Sequence, residues 1–303
     1  MPSQAGAGAP TGDGSAAQDA PWPHEPAVRA ALEEHWGLRD ELRPMQAEAS
    51  YTWHAGGHVA KLARDELSHF AAGLHASEAV ERAGIAAGAP VRTRGGELCV
   101  ALPLKRQSWV LAVLHRVHGT HLSMHAVPPA VLGEFLGRLH RIMSGCPVTG
   151  AWTPDDVLGH MTRGISEAQP PSVRQMVTQA VSDVNGYYAT TPSAQLLYGD
   201  GPGIFSANGA DVSAIIDWGG VRAGSPADDI GCWTAHGATD KIPLPAYTAA
   251  FLDGYRRSND LTAAAAAAVP LFQRLRIASR ACYVTDPGAL DGVSAWMRRA
   301  FGE

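Results

Sequence analysis

The sequence predicts a two-lobed α+β fold, with a small N-terminal sheet lobe ahead of a larger helical lobe, and three observations predict it. Short runs with strand-like alternation fill the chain up to about His115. Helical periodicity dominates from Ala130 onward. Within the helical half a single strand pair, closing near Asp217, interrupts the pattern, with an aspartate at each end of it. At 303 residues the chain holds one two-lobed enzyme or two modest domains, and either buries a substantial apolar core.

Residues 1–22 are Gly, Ala, Ser, Pro and Gln with almost no large apolar side chain, a composition that cannot repay the entropy of ordering, so a disordered tail is expected there. From His24 the spacing of Val28, Leu32 and Trp36 predicts a helix that Gly37 ends. Residues 47–54 and 57–62 read as a hairpin around Ala55-Gly56-Gly57, whose glycines supply the positive φ of a tight turn. A helix is expected over 66–82, and short strands over 90–93, 98–102 and 108–115.

The lobe boundary falls near 113–120, dividing the chain into a nucleotide-binding lobe, 23–114, and a helical lobe, 115–303. In the second lobe Leu132, Phe135, Leu136, Leu139 and Ile142 make 130–143 amphipathic. Further helices are expected over 171–188, 245–257, 262–283 and 292–301. A strand over 194–197 precedes two short strands that flank the turn pair Asn208-Gly209.

Composition excludes several function classes. With 24 basic and 29 acidic residues the net charge is −5 and the pI about 6.2, so no basic field draws the chain to nucleic acid or an anionic membrane. Cys99, Cys146, Cys232 and Cys282 are widely spaced without a CxxC pair, which indicates neither a zinc knuckle nor a disulfide framework. No basic start followed by an apolar run opens the chain, and no stretch approaches the roughly 18 apolar residues of a membrane span, so a cytoplasmic location is expected. Only Lys61, Lys105 and Lys241 are lysines, in a composition typical of GC-rich coding bias. A lysine retained under that bias is a stronger functional candidate than one in a lysine-rich chain.

The run Leu196-Leu197-Tyr198-Gly199-Asp200-Gly201-Pro202-Gly203 contains Gly-x-Gly, but a dinucleotide cradle needs a helix after it, and a hairpin follows here. An acidic residue at one strand end and a second at the end of the returning strand place Asp200 and Asp217 in one cleft. Phosphoryl transfer needs that pairing: one carboxylate orients the attacking hydroxyl while another holds Mg²⁺ against the phosphates. Spacing alone also allows two ordinary turn aspartates. His115, His118, His121 and His125 are dense, but Gly119 interrupts the i, i+4 pattern that zinc ligands on one helix face follow, and a structural cluster is expected.

Taken in order, Tyr198-Gly199-Asp200, Pro202-Gly203, Ile215-Ile216-Asp217-Trp218-Gly219 and Gly224-Ser225-Pro226-Ala227-Asp228-Asp229-Ile230 resemble the aminoglycoside phosphotransferase and choline kinase-like family. There the text is His-Gly-Asp, Pro-Gly-Asn, Ile-Asp-Trp-Gly and Gly-Asp-Pro-x-x-Asp-Leu. His58-Val59-Ala60-Lys61-Leu62 is similar to the family's lysine strand, and Leu136-Gly137-Arg138-Leu139-His140 to the helix after its hinge. The resemblance spans roughly residues 40–300.

It implies a protein kinase-like fold with ATP between the lobes and ATP and Mg²⁺ as cofactors. Asp200 is then the catalytic base, Asp217 the metal ligand, and Lys61 the contact to the phosphates. The backbone of Leu114, His115, Arg116 and Val117 would meet the adenine. Glu78 is the chosen partner of Lys61, with Glu66 and Glu81 as alternatives, and Asp229 is a structural brace of the catalytic loop.

Two departures stand out. The family histidine is Tyr198, and the position of the metal-binding asparagine is Ile204, which has no oxygen to offer, one residue being missing from the loop.

The implied activity is a phosphotransferase with an alcohol group as acceptor: a small molecule, such as an aminoglycoside-like antibiotic or natural-product intermediate, or a peptide Ser/Thr in a biosynthetic pathway. For a polycationic acceptor Asp155, Asp156, Glu167, Asp183, Asp253 and Asp260 are candidate pocket residues. The alternative is a catalytically impaired pseudokinase that binds a leader peptide or a partner enzyme of a biosynthetic complex.

Overall fold

The computed structural model describes residues 24–45, 50–104, 107–165, 169–191, 195–209, 211–239 and 241–283. The expected tail over 1–22, the helix over 292–301, Lys105 and Glu167 lie outside them. The architecture is the expected one: among the described residues, an antiparallel sheet with two helices is joined to a lobe of six helices and two small sheets.

The first lobe opens with α1 (Glu25–Trp36), whose buried stripe is Val28, Ala31 and Leu32. Trp36 is held by its indole N–H, 2.7 Å from the Val91 carbonyl. Next come β1 (Leu42–Met45), β2 (Tyr51–Ala55), β3 (His58–Ala63), α2 (Leu67–Arg82), β4 (Pro90–Val91), β5 (Val100–Leu104) and β6 (Gln107–His115). The strands run in the order β1-β2-β3-β6-β4, with β5 also paired to β6. Strand β1 has no counterpart in the sequence reading, because Arg43-Pro44 breaks its alternation. Proline is tolerated there since the strand lies at the sheet edge.

Period-two alternation separates the two faces of this sheet. Trp53, Ala60, Leu62, Leu111 and Val113 pack under α1. Val110 and Ala112 pack with Phe70 and Leu74 of α2 on the other face. Lys61 pairs in register with Ala112, so it stands on the α2 face.

After β7 (Thr120–His121), the second lobe contains α3 (Pro129–Met143), α4 (Pro154–Arg163), α5 (Pro171–Thr190), β8 (Gln195–Leu197), β9 (Gly203–Ser206), β10 (Ala214–Ile216), β11 (Arg222–Gly224), α6 (Pro226–Gly237), α7 (Leu244–Ser258) and α8 (Ala263–Tyr283). The expected hairpin is β9–β10, but β8 pairs with β11 instead of with β9. Helix α4 lies in the stretch 151–188 expected to be helical: Thr153 caps it through a reciprocal capping box with Asp156, with Pro154 in the first turn. Helix α6 is buried almost all round, so it shows no amphipathic stripe to detect.

The lobe's core joins Leu136 and Leu139 of α3 to Trp233, Phe251, Tyr255 and Phe272. Helices α3 and α7 meet backbone to backbone at Gly133 and Gly254. A Cβ at either would overlap a carbonyl of the other helix, at Phe251 and Ala130 respectively. Among the described residues no helix is long and apolar enough to cross a membrane.

Candidate active site

The two lobes are joined chemically where β3 faces the end of β10. Lys61 Nζ lies 2.8 Å from Asp217 Oδ1, a contact between residues 156 apart in sequence. The Lys61 side chain is 18% exposed and that of Asp217 62%, so the lysine is recessed and the carboxylate opens to solvent. Asp217 has φ 71° and ψ 74° and is the only non-glycine residue with positive φ among those described. A β-strand that ends in a left-handed aspartate stores backbone strain, and such strain concentrates at functional sites.

Asp200 sits on the loop between β8 and β9. Its Oδ1 accepts from the Gly201 backbone N–H at 2.7 Å and from Arg276 of α8 at 2.8 Å. Its Oδ2 has no partner among the described residues, and Trp233 anchors its carbonyl through the indole N–H at 3.0 Å. The carboxylate is thus oriented through one oxygen with the other left free to accept.

Asp229, braced by His140, and Arg222 hold this loop from beneath. Asp229, fully buried in α6, accepts the backbone N–H groups of Tyr198 and Gly199, both at 2.8 Å, which is the bracing role expected of it. His140 of α3 contacts the same carboxylate at 2.9 Å and is itself held by the Tyr255 hydroxyl at 2.8 Å. Burial alone pushes the Asp229 carboxyl up, but the His140 hydrogen bond and charge, Arg222 and the loop N–H groups together bring it below the ordinary range. Arg222 forks onto Asp228 with two bonds of 2.9 Å and reaches the Gly199 carbonyl. Gly199 must be glycine: φ is 84°, and a Cβ would overlap the Gly220 carbonyl oxygen.

Tyr198 stands where the motif it resembles has histidine. Its side chain is buried, its hydroxyl donates to the Ile216 carbonyl at 2.6 Å, and its ring meets Trp218 and Trp233 edge-on. Burial first, and then the charges of Asp217 and Asp200, push the phenol well above its ordinary range, so it remains a donor. This bond ties the Asp200 loop to the residue preceding Asp217. Tyr198→Phe should lower unfolding free energy by about 0.5–1.5 kcal/mol, the net worth of one hydrogen bond to a partly buried carbonyl. Urea denaturation followed by tryptophan fluorescence measures it.

Glu78, expected to pair with Lys61, has other partners in this structure. Glu78 is engaged by Arg82 at 2.6 Å and Arg92 at 2.9 Å, two guanidinium groups that satisfy both of its oxygens. Glu81 closes the end of α2, accepting from Ala87, Ala89 and the His115 ring. Neither reaches Lys61, nor does Glu66, because α2 presents Phe70 and Leu74 to that face of the sheet. Lys61 has Asp217 instead.

Of the segment expected to meet adenine, Leu114 and His115 end β6, with the His115 N–H 2.8 Å from the Ala89 carbonyl. Arg116 and Val117 form no backbone hydrogen bond to the described residues, so their N–H and C=O groups remain available. The dense histidines serve separate partners: His115 bonds Glu81, His121 packs on Phe205, and His125 contacts the Gly237 carbonyl.

Ile204 points into the helical core, fully buried on β9. The two oxygen-bearing side chains nearest in sequence do not take over, since Ser206 and Asn208 bond each other at 3.2 Å in the hairpin turn. No cluster of three or more His, Cys, Asp or Glu side chains suited to a metal exists among the described residues. The donors present still fit a magnesium ion that arrives with phosphates, because Mg²⁺ takes one or two carboxylates and fills its octahedron with phosphate oxygens and water. The exposed Asp217 carboxylate meets that minimum. Sequence reasoning missed Arg222, Arg276 and His236, whose roles depend on contacts that no local pattern announces.

No protein-family model matches this chain, and no curated protein matches it in sequence. Solved structures match over nearly its whole length. An amicoumacin kinase in complex with AMP-PNP, Ca²⁺ and Ami is similar at TM-score 0.71 and 14% identity, over 92% of this chain and 93% of that one. A microcompartment-associated aminopropanol kinase is similar at TM-score 0.69 and 18% identity, over 91% and 95%. A choline/ethanolamine kinase family protein from Mesorhizobium loti is similar at TM-score 0.59 and 14% identity, over 90% and 94%. At these identities the likeness establishes the protein kinase-like fold, shared with small-molecule kinases.

Proposed function

We propose that the chain is an ATP-dependent phosphotransferase that moves the γ-phosphate to a hydroxyl group of a small molecule or of a peptide Ser/Thr. The observation that carries this reading is the tie between Tyr198 and Ile216. It holds Asp200 and the strained, solvent-open Asp217 in one unit against Lys61 of the other lobe.

In this reading the free Oδ2 of Asp200 accepts the hydrogen of the acceptor hydroxyl. As the acceptor oxygen bonds to the γ-phosphorus, the bond from that phosphorus to the β-bridging oxygen breaks. ADP leaves, and the proton on Asp200 passes to solvent. Lys61 swings from Asp217 to the nucleotide phosphates, and the free backbone groups of Arg116 and Val117 face the base. Asp217 would hold Mg²⁺, which neutralises developing phosphate charge.

The buried Ile204, which has no oxygen to offer a metal, favours a second reading, a catalytically impaired pseudokinase that binds a leader peptide or partner enzyme of a natural-product biosynthetic complex. Thermal denaturation with Mg-ATP followed by labelled-phosphate transfer separates the two. At 100 times its Kd a nucleotide should stabilise the fold by about 2.7 kcal/mol. Lys61→Ala should remove most of that gain. No stabilisation with or without Mg²⁺ sinks the kinase reading, whereas stabilisation without transfer to any hydroxyl favours the second.

A further inference from the structure

The surroundings of Asp200 on the α8 side carry positive charge. Asp200 is met there by Arg276 of α8. Of the five N–H donors an arginine carries, Arg276 uses one on the described residues, and its Nε is buried without a partner. Arg280 follows one turn later on the same helix face, exposed and with no acceptor among the described residues. Arg280 lies in the last turn of α8, where the helix dipole favours a cation, and its i, i+4 spacing from Arg276 sets the two guanidinium groups side by side.

His236 of α6 completes the depression, which is lined by Ala235, His236, Arg276, Ile277 and Arg280. Its ring lies beside the catalytic loop, with Cε1 3.5 Å from where a Cβ on Gly201 would be. Burial, and then the charge of Arg276, hold this imidazole down at about 4, so it adds no charge at neutral pH.

Three of the carboxylates expected to receive a polycation have partners of their own. Asp156 caps α4, Asp183 accepts from Gln179 at 2.6 Å, and Asp253 lies 3.9 Å from Arg256. Beside Asp200 the unspent charged donors are the guanidinium groups of Arg276 and Arg280, while the neutral His236 ring, bonded through Nδ1 to the Cys232 carbonyl, keeps Nε2 as an acceptor. A polyamine acceptor would meet like charge there, which disfavours it strongly. A planar anion instead matches the fork of an arginine with free N–H groups.

We infer that the acceptor bears a carboxylate close to its reacting hydroxyl and that Arg276 and Arg280 bind that carboxylate, placing the hydroxyl on the free oxygen of Asp200. This rests on the phosphotransferase reading of the cleft and narrows its substrate class. Arg276 then holds two carboxylates, that of Asp200 and that of the acceptor, through different donors.

The test is isothermal titration of the full chain, with and without AMP-PNP and Mg²⁺, using three hydroxyl-bearing probes. These are tartrate, a blocked serine pentapeptide flanked by glutamates, and the same peptide flanked by lysines. At least one acidic probe should bind, and the lysine peptide should not. Preference for tartrate or for the glutamate peptide separates a free hydroxy acid from a peptide source.

Arg280→Gln, at an exposed position that folding does not depend on, and Arg276→Gln should each weaken the acidic probe about tenfold or more, as expected for losing a charge-assisted hydrogen bond. AMP-PNP affinity should be retained in both. Binding of the lysine peptide as tight as that of the acidic probes, or no binding of either acidic probe, overturns the inference. An equal loss of AMP-PNP affinity in Arg276→Gln also overturns it, by assigning the guanidinium to the donor phosphates. Failure of AMP-PNP to bind the unaltered chain is a different outcome that removes the kinase reading itself, while the nucleotide-free arm still reads the arginine pair.

Discussion

Asp200→Asn should lower phosphate transfer by about 10²–10⁴-fold, the range assigned to a positioned general base, while Mg-ATP still stabilises the fold. The substitution is close to isosteric. The amide oxygen can still accept from Gly201 and Arg276, the two groups that now hold Oδ1, so the loop keeps its shape. What disappears is the second oxygen, the one facing no protein donor among the described residues. Single-turnover transfer of labelled γ-phosphate in the presence of an acceptor measures the chemical step, and thermal denaturation measures nucleotide binding separately. Undiminished transfer in Asp200→Asn would remove Asp200 from the chemistry and leave it as a loop anchor.

Asp229→Ala should cost about 3–5 kcal/mol of stability, the range for breaking a buried ion pair by removing one partner. The carboxylate is fully buried and serves three donors at once: the Tyr198 and Gly199 N–H groups and His140. Alanine would leave two backbone donors and an imidazole in the core without acceptors, directly beneath the Asp200 loop. The same carboxylate predicts an acid limit. Its folded-state value lies below the unfolded one, near 3.9 for aspartate. The contribution is therefore fully present above about pH 4 and is lost as pH falls through the lower, folded-state value. Urea midpoints measured between pH 7 and pH 3 should show a loss in the unaltered chain at the acid end that is reduced in Asp229→Ala. Equal stability of the two proteins at pH 7 would show that the brace is dispensable.

Both predictions concern residues that stood out in the sequence for different reasons. Asp200 and Asp217 were legible because an ordered set of short motifs surrounds them, and Asp229 because it closes the last motif. The strands and helices were legible where side chains alternate with a clean period. They were missed where the period is absent, as in edge strand β1 with its Arg43-Pro44 and in the uniformly buried α6.

The glutamate assignment shows the limit of local reading. Glu78, Glu66 and Glu81 are equivalent as letters on a helix. Two arginines at positions 82 and 92 decided where Glu78 points, and the docking of α2 through Phe70 and Leu74 kept all three acids away from Lys61.

By itself the sequence determined a two-lobed α+β chain with an aspartate at each end of a strand pair and a lysine retained on a short strand, because these features reside in side-chain period and in words a few residues long. The tertiary structure alone decided how they act on one another. Lys61 meets Asp217 across 156 positions, Arg276 meets Asp200 across 76, and His140 meets Asp229 across 89. Ionic and hydrogen bonds of this kind form between ends of long side chains, over about 3 Å, after whole elements have docked. Element docking depends on apolar packing throughout the core, and no stretch of sequence near either partner encodes it.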